Sequence, residues 1–315
     1  MTDAIKRSAK DRLLSIIVPA HNETAVLRLS CERMVNAVRA LPCAFELIYV
    51  DDGSTDGTWE LIEELHKAPE NRIRALRFTR NFGHQAAVSA GLAASRGDIA
   101  VIIDADLQDP PELIEQMLEL WTQGYDIVYG KRKKREGESA FKLFTAFAYY
   151  RLLKLLSTVD IPLDTGDFRL IDGSVRDTLN ALPEHNRFLR GMTAWAGFSA
   201  VPVEYERAGR AAGSSTYSLK KMLKLAGDGL LGFSFTPLRL PLLIGAVTLL
   251  TALIGLIWAA AAGNGQNALF SLLFLLVGLL FICVWVLGEY VGRIADESRG
   301  RPNYIIRQST DKENE

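Results

Sequence analysis

The sequence predicts an α/β protein in which a largely parallel sheet is flanked by helices and followed by two C-terminal transmembrane helices. Three observations carry this. Short apolar runs alternate with helix-length stretches, acid-bearing loops follow three of those runs, and two charge-free stretches near the C-terminus each reach membrane-crossing length.

Taken in order, "LSIIVPA" (14–20) reads as a buried strand and residues 24–41 as a helix. "FELIYVDDG" (45–53) is a second strand and "TWELIEELHKA" (58–68) its helix. "IRALRF" (73–78) is a third strand, "HQAAVSAGLAASRG" (84–97) a helix of small residues closed by Gly97, and "DIAVIIDAD" (98–106) a fourth strand. Asp109-Pro110-Pro111-Glu112 reads as an N-cap, prolines in the first turn and an acid returning a capping-box contact. Leu113, Ile114, Met117, Leu120 and Trp121 then recur at helical spacing up to Gly124. In open sheets of this kind ligands bind beyond the carboxyl ends of the strands. "PAHNE" (19–23), "DDGSTDGT" (51–58) and "DADLQ" (104–108) occupy those ends. No glycine-rich phosphate fingerprint follows the first strand, so dinucleotide-binding and P-loop proteins are poor fits.

Residues 240–263 and 268–288 carry no charge, and each is long enough to cross a hydrocarbon core of about 30 Å as a helix. Arg239 precedes the first span, and Arg293, Arg299 and Arg301 follow the second. Both outer flanks, and with them both termini, are therefore expected in the cytoplasm. The polar start "MTDAIKRSAKDR" has no signal-peptide pattern. The predicted division is a polar tail over 1–12, a cytoplasmic catalytic domain over 13–217, amphipathic juxtamembrane helices over 218–237, two transmembrane helices over 238–290 and a cytoplasmic tail over 291–315.

Hydrophobic residues make up 49% of the 315, high for a soluble enzyme, and the two spans explain the excess. The net charge of -1 argues against a nucleic-acid partner. Cys31, Cys43 and Cys283 have neither metal nor disulfide spacing, as suits a reducing compartment.

"VIIDADLQDPPE" (101–112) runs an apolar strand into four acids. Helix capping accounts for Asp109 and Glu112 but not for Asp104 and Asp106. Side chains two apart on an extended segment point the same way. Two carboxylates on one face repel unless a cation sits between them, and the hard ions Mg²⁺ and Mn²⁺ take such oxygen ligands.

"VPAHNE", "VDDGSTDGT", "RNFGHQAAVSAGL", "DADLQDPPE", "TGDFRLID", "NRFLRGMTAW" and "ERAGRAAGSSTYS", in this order, resemble the family 2 inverting glycosyltransferases of the GT-A fold. More narrowly, they resemble the polyisoprenyl-phosphate glycosyltransferases, the group that includes dolichol-phosphate mannose synthase and bacterial enzymes charging undecaprenyl phosphate. The resemblance runs from about Leu14 to Ile306. It implies a mixed, largely parallel sheet, a nucleotide-sugar donor, a polyprenyl phosphate acceptor in the bacterial inner membrane and a divalent metal, Mg²⁺ or Mn²⁺. UDP-glucose is the donor that two-span bacterial relatives suggest.

Carried over by position, Asp104 and Asp106 are the Asp-x-Asp pair, and Asp106 and Gln108 lie close to the metal and the donor diphosphate, with Ala105 between the acids. Pro19, Ala20, Glu23, Asp51 and Asp52 resemble the nucleoside-binding loops, although Asp51 and Asp52 also suit plain turn chemistry. Arg132 is the acceptor-phosphate candidate in the basic run Lys131 to Arg135, with Lys142 the second, on the amphipathic stretch "FKLFTAFAYYRLLKLLS" (141–157) suited to a membrane interface. The rest of the basic run equally suits a solvated surface. Asp167 and Arg169 line the reaction centre in the family, Asp167 as a catalytic candidate and Arg169 as a third acceptor-phosphate candidate. Asp167 has three readings: orienting a sugar hydroxyl, acting as a base, or pairing with Arg169. Arg187 and Arg190 either face the donor diphosphate or form salt bridges. Arg207 belongs to the donor set, and Arg207 and Arg210 precede a loop in which Thr216 stands where many relatives have lysine, leaving Ser215 and Tyr217 as hydrogen-bonding groups. His84, at a helix start, reads as structural.

Two rivals remain. A processive polysaccharide synthase needs more spans and a Gln-x-x-Arg-Trp motif that this chain lacks, and a non-catalytic membrane scaffold has no use for the intact acids. Gly245, Gly255 and Gly278 in the spans allow close helix approach, so a homo-oligomer, up to a tetramer, is expected.

Overall fold

The computed structural model describes residues 6–133, 165–185, 187–206, part of 244–257, and 265–311. Lys134, Arg135, Lys142, the amphipathic stretch around it, Arg207, Arg210, Ser215, Thr216, Tyr217, the juxtamembrane segment and most of the first predicted span lie outside the described residues.

Four strand–helix units come first: β1 (Leu13–Ala20) and α1 (Thr24–Arg39), β2 (Ala44–Asp51) and α2 (Thr58–His66), β3 (Ile73–Phe78) and α3 (His84–Ala94), β4 (Ile99–Ile102) and α4 (Leu113–Thr122). β5 (Ile127–Arg132), β6 (Thr165–Asp172), α5 (Gly173–Ala181), α6 (Leu189–Trp195) and β7 (Ala200–Tyr205) follow. A long helix, α7 (Gly265–Arg299), then leads to β8 (Ile306–Ser309). All eight strands form one sheet in the order β7-β5-β6-β4-β1-β2-β3-β8. β6 and β8 run antiparallel to their neighbours, and the other six strands share one direction. This is the mixed, largely parallel sheet with flanking helices that the sequence predicts.

The near-continuous apolar runs are explained by burial on both faces. Leu14, Ile16 and Val18 of β1 pack under α1, α2 and α4 with Met34, Ile62 and Met117. Ile17, pointing the other way, joins Val88 and Leu92 of α3 with Val175 and Leu189.

Three expectations are revised. β4 ends at Ile102, so Asp104 and Asp106 lie in the turn that follows it rather than on an extended segment. α4 begins at Leu113 with no side-chain cap at Glu112, whose carboxylate is instead gripped by Arg33 at 2.7 and 2.9 Å. The tail expected after the spans is not merely a tail, because its β8 pairs with β3 and closes that edge of the sheet. The second predicted span lies within α7. Among the described residues α7 contains the one helix long and apolar enough to cross a membrane: the most apolar 18-residue window within Leu275–Arg299 has a mean hydropathy of 2.2, and none of that window is buried. Phe281 and Trp285 on it are 70% and 65% exposed, a surface that requires lipid or protein cover.

Candidate active site

Because β6 runs against its neighbours, its first residues lie at the same sheet edge as the last residues of β1, β2, β4 and β5. That reversal brings Asp167 beside the loop after β4. At the β1 and β2 ends, two loops are stitched together. Asp52 N donates to Ala20 O, Asn22 N to Ser54 Oγ, Thr55 N to Asn22 Oδ1 and Glu23 N to Thr58 Oγ1, each at 2.9 Å. Pro19 and Ala20 end β1 against Val50 and Asp51. Asp51 is fully buried, accepting from Ser54 N at 3.0 Å and facing Arg77 Nε at 3.4 Å. Asp52 accepts from the backbone of Phe82 at 2.6 Å and Gly83 at 2.9 Å, and burial raises its pKa against those contacts. Gly53, at φ +65°, has no room for a Cβ, which would run into the Arg80 and Asn81 backbone.

The loop after β4 carries Asp104, half-buried, with Ala105 and Asp106 buried. Gln108 N donates to Asp106 Oδ1 at 3.1 Å. Leu107 between them sits at φ +60°, a conformation rare for leucine and of the kind that gathers at functional sites. Burial pushes the Asp104 carboxyl up to about 6, with Asp109, Asp106 and Asp167 adding to it and His84 opposing.

Asp167 is the hub. Its Oδ1 accepts from Arg190 Nε at 2.8 Å, and its Oδ2 from His84 Nε2 at 3.1 Å, Gln85 Nε2 at 3.2 Å and Arg190 Nη2 at 3.2 Å. Burial alone would raise its pKa, but Arg190 and His84 hold it well below the ordinary carboxylate range. His84 Nε2 is also 3.8 Å from Asp104 Oδ1. Burial works against the charge of this imidazole, yet the two carboxylates raise it to about 9. Arg169 does not pair with the Asp167 carboxylate. It donates to Thr193 Oγ1 at 2.6 Å, Gly166 O at 3.1 Å and Asp167 O at 3.3 Å, and burial lowers it to about 10.

A second cluster faces this one. Arg132, at the end of β5, donates to Tyr205 Oη at 3.3 Å and lies 3.9 Å from Asp109 Oδ1, to which Tyr205 also donates. Asp109, read from the sequence as a helix cap, is 1% exposed and belongs to this cluster instead, since α4 begins only at Leu113. Arg132 Nη2 packs over Gly166, where a Cβ would stand 2.6 Å away. Arg187 stands apart from both clusters, donating to Leu179 O at 3.0 Å and Leu182 O at 2.7 Å.

The structure thus gathers Asp104, Asp106, Asp167, Arg190 and Arg132 at one edge and leaves Arg187 outside the group. Reading the sequence missed His84, Gln85 and Tyr205. The signal for the first two was their place directly after the third strand, at the same edge as the acids.

The acids after β4 suit a hard divalent ion, since burial and then the neighbouring carboxylates disfavour the charge on Asp104, and a cation beside it offsets both. Among the described residues no three His, Cys, Asp or Glu side chains converge to hold one alone.

Acid-bearing loops at the carboxyl edge of a mixed α/β sheet are what a transferase of activated sugars presents, and the chain belongs to glycosyl transferase family 2, whose family model it matches over residues 15–179. It is 42% identical over 307 residues to the uncharacterized glycosyltransferase YkcC of Bacillus subtilis (strain 168), covering 95% of each chain. It is 36% identical over 306 residues to the bactoprenol glucosyl transferase of Shigella phage SfV, covering 95% of this chain and 99% of that one. Among solved structures, mannosyl-3-phosphoglycerate synthase from Rubrobacter xylanophilus is similar over 69% of this chain and 71% of its own, at 17% identity and a TM-score of 0.47.

Proposed function

We propose that this protein transfers one glucosyl residue from UDP-glucose to a membrane polyprenyl phosphate, with inversion, giving a polyprenyl-phosphate monosaccharide for cell-surface glycan modification. One observation carries the acceptor side. β5 leaves the sheet at the edge that holds the site and β6 re-enters there. β7 leaves there for the stretch leading to α7, and the chain returns from α7 to begin β8 at that same edge. A lipid held beside the exposed apolar helix is then on the site's side of the domain. The relatives named bactoprenol glucosyl transferase favour the same acceptor and sugar.

The two-span reading gains a topological argument. β7 and β8 belong to one sheet, so the chain between them begins and ends on one side of a membrane. If α7 crosses, a second crossing must lie between 207 and 264, where 240–263 is the one charge-free stretch of sufficient length. A Cβ on Gly255 would stand 3.2 Å from Leu272 of α7, the close approach expected of paired spans. The homo-oligomer remains part of this reading.

In the reaction, an acceptor phosphate oxygen attacks the anomeric carbon and the nucleoside diphosphate departs. A phosphate is already anionic near neutral pH and needs positioning more than a base. Asp167 fits that economy, because its oxygens already accept four hydrogen bonds and its carboxylate has little affinity for a proton. We assign it to orienting Arg190 and His84. Arg132, buttressed by Asp109 and Tyr205, receives the acceptor phosphate. The stitched loops bearing Pro19, Ala20, Glu23, Asp51 and Asp52 receive the nucleoside. Asp104, Asp106 and Gln108 would hold Mg²⁺ or Mn²⁺, which when bound neutralises charge developing on the leaving diphosphate.

Membranes containing the protein, given radiolabelled UDP-glucose and undecaprenyl phosphate, are expected to yield a chloroform-soluble monosaccharide lipid. A long polymer would favour a processive synthase, and no transfer from any nucleotide sugar would favour a scaffold.

A further inference from the structure

The segment that follows α7 packs against the end of β3 and the lead-in to α6, two stretches that run into the site, though the transfer chemistry assigns it no task. Tyr304 stacks on Phe78, ring centroids 5.0 Å apart and planes at 11°. Phe78 ends β3 and meets Phe82 edge-on at 5.7 Å, and the backbone of Phe82 and Gly83 holds the Asp52 carboxylate. The next residues are His84 and Gln85, both on Asp167. Beside Tyr304, Asn303 Nδ2 donates to Glu184 O at 3.3 Å, and Asn303 and Tyr304 line a shallow cleft with Arg187. Glu297, near the end of α7, accepts from His185 N at 2.8 Å. The stretch around His185 leads directly into α6, which carries Arg190.

We propose that residues 302–311 are a positioning strap: Tyr304 fixes the β3–α3 connection against the lead-in to α6, so that the membrane helix and the donor site hold each other in register. β8 fastens the strap, with Thr310 exchanging hydrogen bonds with Ala75 and Asp311 paired to Arg74. Tyr304 is a positioning residue acting through Phe78 and Phe82. A stack of two rings accounts for the geometry, and no hydrogen bond from its hydroxyl is needed. The inference rests on the reading of the Asp52 loop as part of the donor site.

The test uses the full chain in nanodiscs with UDP and Mg²⁺ as the probe. Tyr304→Ala should weaken UDP binding and raise KM for the donor by about tenfold, within the usual range for coupled sites. Its kcat should stay within about twofold of wild type, while Tyr304→Phe restores wild-type values. A lower melting temperature with unchanged UDP affinity and KM would make the strap merely structural and overturn the proposal. Should Tyr304→Ala not fold, hydrogen exchange on the wild type decides. Coupling is reciprocal, so UDP should slow exchange both at Phe82 and Gly83 and at 304–309. Slowing at the first site alone would sink the strap while leaving the donor reading intact. A wild type that binds no nucleotide would sink the donor reading and the strap together.

Discussion

Arg190 grips Asp167 through two atoms, Nε to Oδ1 at 2.8 Å and Nη2 to Oδ2 at 3.2 Å, and so fixes the orientation of a carboxylate that is 9% exposed. The fork joins α6 to the start of β6, while His84 and Gln85 reach the same carboxylate from α3. Gln85 Oε1 also accepts from Leu189 N at 3.1 Å, completing a ring of contacts between the two helices. The site is held by side chains from three elements that only tertiary folding brings together.

Removing the fork tests that arrangement. Arg190→Ala removes the forked cation from a buried carboxylate and leaves it only His84 and Gln85, and it should cost about 3 kcal/mol in denaturant unfolding. Arg190→Lys keeps the charge and loses the fork, so it should recover part of that stability. Asp167→Asn should lower kcat while leaving the acid limb of the pH–rate profile in place, because a carboxylate held well below its ordinary range is not the group titrating there. Loss of that limb in the mutant would restore Asp167 as a base.

The metal assignment predicts that EDTA abolishes transfer and that Mg²⁺ or Mn²⁺ restores it. Asp106→Asn should stay folded, since an amide oxygen can still accept from Gln108 N, yet be nearly inactive. Full activity in Asp106→Asn would remove that residue from the metal site.

Much of this was legible in the sequence. The alternation of apolar runs and helices follows from burial on both sheet faces, so β1 to β4 and their helices were readable from local pattern. The reversal of β6 was not, because antiparallel insertion depends on which neighbours a strand meets. With that reversal hidden, Asp167 had three readings and Arg169 looked like its partner, whereas β6 aims the carboxylate at Arg190 and His84. β8 was invisible for a related reason. "IRQS" has neither length nor alternation enough to announce a strand, and its place is set by the unpaired edge of β3.

Arg132 tests the division between donor and acceptor. Its guanidinium is steadied by Tyr205 and Asp109, and among the described residues its contacts do not reach the loops around Asp52. Arg132→Ala should bind UDP normally in calorimetry while transfer to polyprenyl phosphate falls by roughly ten- to a hundredfold, the scale of a charge-assisted contact of about 1.5 to 3 kcal/mol. Loss of nucleotide binding instead would assign the residue to the donor.

The last prediction concerns pH and the fastening of β8. Asp311 pairs with Arg74, which also holds Glu46 at 2.8 Å, and Arg96 lies 3.5 Å from the same Asp311 carboxylate. The hydrogen bond from Arg74 is the largest influence on Asp311 and places its pKa below the ordinary 3.8 in the folded protein. A folded-state pKa below the unfolded one means stability that is present above about pH 4 and lost as pH falls through the folded value. Asp311 is one-third exposed, so the pair contributes about 1 kcal/mol. At neutral pH Asp311→Asn should therefore speed hydrogen exchange in 306–309 by about fivefold, an opening local to an edge strand. Toward pH 3 the wild type should approach the mutant, since its own carboxylate is then taking up a proton. A mutant whose exchange difference is the same at both pH values would show that the ion pair does not fasten the strand.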